Sequence, residues 1–214
     1  MKGYVITTKE IEKLIPKIWG RISDYLGLNI TWKDVLVKME ANAKKRGLKF
    51  VGFSISYNEK NKDWAFSTTD NIYSENRPKY VYHQLEFKPF EKDKSVMKNH
   101  IAHELFHVYQ NLFLYKRRYD LDPIWALKEA AADIVALKVI KDANYSRVYW
   151  KKDYYRNGIA MALAEKMNEM PRSELLKLIT RPKSKKDVRA LFNDVMYILS
   201  KSNYIKWGKK CKEV

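Results

Sequence analysis

An α+β fold is the class this sequence predicts: a small, mostly antiparallel sheet among helices, with a helical C-terminal part. Three observations carry that expectation. Two amphipathic helical patterns come first, over 8–26 and 32–46; β-rich segments follow within 48–87; every later segment has helical spacing. Strands and helices are therefore segregated along the chain rather than alternating, which argues against a doubly wound sheet. Apolar residues make up 46% of the 214, enough for a real core, so wholesale disorder is excluded.

The first helix is read from Ile11, Leu14, Ile15, Ile18, Trp19, Ile22, Tyr25 and Leu26, whose 3.6-residue spacing makes one apolar stripe, with Pro16 as a kink. Thr31 caps the second helix, about 32–46, and Gly47 ends it after Lys44, Lys45 and Arg46, cations that suit a helix C-terminus. Residues 48–57, LKFVGFSISY, alternate and are rich in β-branched and aromatic residues, the pattern of a strand. A turn is expected over 58–63, a short return strand over 64–68, and a third strand over 80–87, with Val81, His83, Leu85 and Phe87 on one face. Ser95 caps a long helix from Val96 to about Arg117. Asp122 and Pro123 start another that runs to about Lys141, with Asp as cap and Pro at the first position, where its missing N–H is no loss. Helices follow over roughly 145–169, 172–180 and 185–201. The expected organisation is a catalytic domain over 1–141 and a helical subdomain over 142–214.

The formal charge is +17, and residues 141–214 hold 18 Lys/Arg against 8 Asp/Glu. Such an excess attracts nucleic acid, anionic membrane or acidic proteins, or is simply a Lys-rich solvated surface. No nucleic-acid-binding motif accompanies it. No apolar run approaches the ~20 residues of a membrane-spanning helix. The first residues, MKGYVITTKEIEK, lack the apolar core of a secretory leader, so a cytoplasmic location is expected. The single cysteine, Cys211, excludes a disulfide within the chain and a cysteine-based zinc ribbon.

The chemistry concentrates in Ile101-Ala102-His103-Glu104-Leu105-Phe106-His107-Val108. His103 and His107, four apart, share one helix face and can each offer a ring nitrogen to one metal ion. Glu104 lies about 100° round from His103, able to reach a water on the metal without being a ligand. This is the H-E-x-x-H pattern of zinc hydrolases, and its flanks are apolar, as a buried helix with one polar stripe requires. A catalytic zinc needs a third protein ligand. The other two histidines are His83, on a predicted strand, and His100, three residues before His103. If the ligand is a carboxylate, Glu129 fits. It sits in an otherwise apolar stretch, PIWALKEAAAD, where an unpaired carboxylate is costly. The first helix travels about 15 Å beyond His107 and the next returns about 9 Å before Glu129, so a short connection brings the carboxylate back to the level of the histidines. Asp133, one turn beyond Glu129, can accept the other ring N–H of a ligand histidine and fix its tautomer.

HELFH followed by Glu129 with Asp133 four residues on resembles the gluzincins, the thermolysin-like zinc metallopeptidases. The order before the motif is similar to the minimal archaeal gluzincins, and the likeness covers roughly residues 31–141. It implies a zincin-like fold with a backing helix, an active-site helix and a glutamate helix. It further implies His103, His107 and Glu129 as Zn2+ ligands and Glu104 as general base and acid.

The resulting expectation is a zinc metallopeptidase acting on a peptide or protein substrate, proteolytic or latent. The C-terminal helices or an oligomer would restrain it. A nucleic-acid-associated or repressor-cleaving protease, motivated by the charge, and a non-catalytic binding protein with a zincin fold are the alternatives. Tyr145, Arg147, Tyr149, Tyr154 and Tyr155 are candidates for a donor to the oxyanion, with none singled out. The strand over 80–87 is either a substrate-binding edge or an ordinary half-buried strand.

Overall fold

The computed structural model describes residues 8–45, 47, 49–57, 68–73, 80–87, 94–114, 122–140, 154–180 and 185–201; side chains are described for 9–45, 47, 98–114, 124–140, 159–180 and 189–201. The expected turn at 58–63, most of the return strand at 64–68, the basic run 181–184 and Cys211 lie outside these residues.

Helix α1, Thr8–Leu26, buries Ile11, Ile15, Ile18, Trp19, Ile22 and Leu26 along one stripe and passes through Pro16 on its exposed side. It ends at Gly27, whose φ of 68° is the left-handed conformation that glycine alone adopts without cost. The Gly27 N–H donates to the Asp24 carbonyl (3.2 Å) and the Leu28 N–H to the Ser23 carbonyl (2.8 Å), a Schellman ending that occupies the last carbonyls of the helix. The buried Trp19 reaches across the connection: its Nε1 donates to the Ile30 carbonyl at 2.8 Å, and its ring lies 5.7 Å from that of Trp32. Helix α2, Trp32–Lys45, opens with a reciprocal cap. The Asp34 N–H donates to Thr31 Oγ1 (3.2 Å), while Asp34 Oδ2 accepts from the Thr31 N–H (2.7 Å) and hydroxyl (2.6 Å). These bonds hold the Asp34 carboxyl below its usual pKa. Gly47, at φ 70°, follows the helix end.

Three strands follow: β1, Lys49–Tyr57; β2, Thr68–Tyr73; and β3, Tyr80–Phe87. Their order is β1-β3-β2, with β3 central. β1 runs parallel to β3, and the register slips between Phe50 and Phe53, where two residues oppose one and Gly52 sits in the bulge. β2 runs antiparallel to β3, from Thr68 opposite Leu85 to Tyr73 opposite Tyr80.

This corrects the expected α+β, zincin-like fold with its mostly antiparallel sheet. Among the residues whose side chains are described, 91% are helical and none lies in a strand. Apart from Ile140, just beyond a helix end, the buried apolar residues among them are carried by helices. The sheet itself is mixed: the two most apolar strands, β1 and β3, are neighbours and run parallel. The polar TTDNIY segment is an edge strand rather than the middle of a meander. Consecutive strands suggested hairpins, but pairing follows which segments need burial, not their order in the chain.

Helix α3 spans Lys94–Tyr109 and passes directly into a π-helical run, Gln110–Leu114, instead of continuing as an α-helix to about 117. Helix α4 is Asp122–Val139, α5 Tyr154–Glu169, α6 Arg172–Ile179 and α7 Lys185–Lys201. The chain forms two compact units. The first holds α1, α2, the strands and α3 to Val108; the second holds the π-helical run, α4 to Lys138 and α5 to α7. In the first, α1 packs on α2 and α2 on β1; in the second, α5 packs on α7. Ala160, Leu163 and Met167 of α5 and Leu191 and Val195 of α7 are fully buried. Among the described residues no helix is long and apolar enough to cross a membrane.

Candidate metal centre

Ile101, Ala102, Leu105, Phe106 and Val108 are buried around α3, so the helix has an apolar surface broken by one polar stripe. At about 100° per residue, His107 lies about 40° round from His103 and Glu104 about 100°. The two imidazoles converge: their Nε2 atoms are 3.0 Å apart, and the rings meet edge to face at 84° with centroids 4.6 Å apart. His107 is buried and His103 half-buried. Glu104 is buried as well, with Oε1 4.0 Å from His103 Nε2, close to the imidazole but beyond a hydrogen bond.

Helix α4 supplies the carboxylates. Ile124, Ala126, Leu127, Ala130, Ala131, Ala132, Val135 and Ala136 are buried around it, leaving Glu129 half-buried and Asp133 buried one turn later. His103, His107 and Glu129 each offer one ligand atom, and these atoms all lie within 4.8 Å of one another, a group that could hold a metal ion.

The donor set tests that reading. Two imidazoles and one carboxylate are a donor set that zinc accepts with a fourth position left open. Tetrahedral zinc with Zn–N bonds of about 2.0–2.1 Å separates neighbouring nitrogens by about 3.3 Å. The histidines stand 3.0 Å apart, a few tenths of an ångström from that spacing.

The chain matches no family model, no curated protein and no solved structure with which it was compared.

His100, one turn before His103, stands outside the group of three. Its Nδ1 is shut off from solvent although the residue as a whole is half-buried, and this desolvation, with the neighbouring His103, pushes its pKa down to about 3. His83 lies on β3, level with Phe53 of β1 and Asp70 of β2. Tyr145, Arg147 and Tyr149 lie outside the described residues, and Tyr154 and Tyr155 begin α5 with side chains outside that description.

One residue at this end of α3 escaped the sequence reading. Gln110 is buried to 1% exposure, and its Nε2 donates to the Lys128 carbonyl at 3.2 Å. The available signal was its position: seven residues after His103, it returns to nearly the same helix angle, about 20° away.

Proposed function

We propose that this chain is a zinc-dependent metallopeptidase of gluzincin type that hydrolyses peptide bonds by attack of a water molecule. The observation that carries the reading is the meeting of the His103, His107 and Glu129 donor atoms within 4.8 Å, with the buried Glu104 beside the first histidine. Zinc bound by the three side chains would supply Lewis acidity, acidifying water and polarising the scissile carbonyl.

The chain's own residues do the rest. The two imidazoles, whose Nε2 atoms converge, would hold the ion through one ring nitrogen each, leaving the other ring nitrogen to carry the hydrogen. The gluzincin reading gives Asp133, buried one turn from Glu129, the role of accepting such a ring N–H and fixing the tautomer. Glu104 takes the proton released as water attacks the carbonyl carbon, and hands it to the leaving amine when the C–N bond breaks. The apolar surround of α3 keeps bulk water from competing for that carboxylate.

The test is zinc content together with peptidase turnover on an unstructured protein substrate, for the unsubstituted chain and Glu104→Gln. The reading expects one zinc in both. It expects turnover about 10²- to 10⁴-fold lower in the variant, the usual contribution of general acid–base catalysis. Zinc binding without turnover in the unsubstituted chain would instead make it a binding protein.

A further inference from the structure

The π-helical run Gln110–Leu114 begins three residues after His107, with no intervening loop. Such wide turns are uncommon and gather at functional sites. Here the run opens with a glutamine that is almost wholly inaccessible, at 1% exposure. A buried amide must be hydrogen-bonded to be tolerated. The acceptor is the backbone carbonyl of Lys128, the residue immediately before Glu129. Lys128 is held a second time, because its Nζ donates to Asn111 Oδ1 at 3.1 Å. The two adjacent residues Gln110 and Asn111 thus grip one residue of α4 by main chain and side chain. All four residues belong to the same compact unit.

The geometry points to Gln110 as a positioning residue for the metal ligand Glu129. It touches neither substrate nor metal; it sets the depth and rotation of α4 at the peptide that carries the ligand. A carbonyl already inside a helix needs no second donor for its own sake. The specific consequence of this bond is that the Glu129 backbone is tied to the residue one turn beyond His107. Slip there would shift the backbone from which the Glu129 side chain reaches the donor group. Substitution of residues that orient metal ligands characteristically lowers metal affinity 10- to 100-fold. The inference rests on the zinc-site reading above.

Zn2+ affinity of the full chain, measured by competition with a chromophoric chelator, tests it in four proteins: unsubstituted, Gln110→Met, Glu129→Ala and the double variant. Gln110→Met keeps length and burial but cannot donate. The expected result is about a tenfold loss of affinity in Gln110→Met, with a change below about twofold when the same substitution is made in Glu129→Ala. Cobalt(II) absorption supplies a signature that a merely structural role would not move: a weakened, shifted ligand-field band in Gln110→Met at unchanged helical circular dichroism. Lys128→Ala, which keeps the backbone carbonyl and removes the side-chain bridge to Asn111, guards against misfolding of the first variant and should lose less than Gln110→Met. Equal losses in both backgrounds, or no loss with Glu129 present, overturn the positioning role while leaving the zinc site standing. Absence of zinc binding by the unsubstituted chain, or full affinity in Glu129→Ala, overturns the site itself and the inference with it.

Discussion

The Nε2 atoms of His103 and His107 face each other at 3.0 Å across one turn of α3. An ion held by both nitrogens would add bonds that exist only in the folded chain. Zinc should therefore stabilise the fold. At a free concentration about 100-fold above Kd the gain is about 2.7 kcal/mol, or about 5–10 °C in Tm for a chain of this size. Differential scanning calorimetry with zinc and with a chelator measures it. His107→Ala should remove most of the difference; a shift of the same size in that variant would place the zinc elsewhere.

Acid stability should depend on His100. Its folded pKa is near 3, against an ordinary value of 6.5. Because the unfolded chain takes up the proton first, stability is highest above about pH 6.5. It falls as pH drops towards 3, below which both states are protonated. Urea unfolding in the presence of a chelator should show a larger loss between pH 7 and pH 4.5 for the unsubstituted chain than for His100→Gln. Equal losses would mean that the ring is not held neutral by burial.

Gly20 within α1 and Gly27 just beyond it should respond to alanine with opposite signs. Gly20 lies within the helix, and an added Cβ would meet nothing within 4 Å; Gly20→Ala should stabilise by about 0.5–1 kcal/mol. Gly27 has equal space but a φ of 68°, so Gly27→Ala should destabilise by about 1–2 kcal/mol. Chemical denaturation midpoints of the two variants decide the matter; a shared sign would refute the conformational explanation.

Trp19 is expected to matter through its indole N–H as well as its size. Trp19→Phe leaves the Ile30 carbonyl without the 2.8 Å donor and a gap beside Trp32. A loss of about 1–3 kcal/mol should follow. Its thermal unfolding compared with that of Trp32→Phe, which leaves the Trp19 N–H on the Ile30 carbonyl, separates this hydrogen bond from ring packing.

The local features were legible because they depend on neighbours in the chain. The stripe from Ile11 to Leu26, the Thr31 cap and the Gly47 stop declare themselves through side-chain spacing and backbone preference. The histidine pair is equally local, since residues four apart on a helix share a face. The exchange of α3 for a π-helical run at Gln110 was not legible. Nothing in QNLFL forbids an α-helix, and the burial of Gln110 against the Lys128 carbonyl is a long-range relationship.

By itself the sequence determined which segments are helical, where α1 and α2 stop, and that two imidazoles stand together beside a carboxylate. The tertiary structure alone decided that β3 is the central strand with β1 parallel to it, that helices dominate, and that α4 is gripped at Lys128. The physical reason is range. Helix periodicity and capping are settled within a few residues, whereas strand order and helix register depend on which distant surfaces exclude water together and which buried polar groups must find a partner.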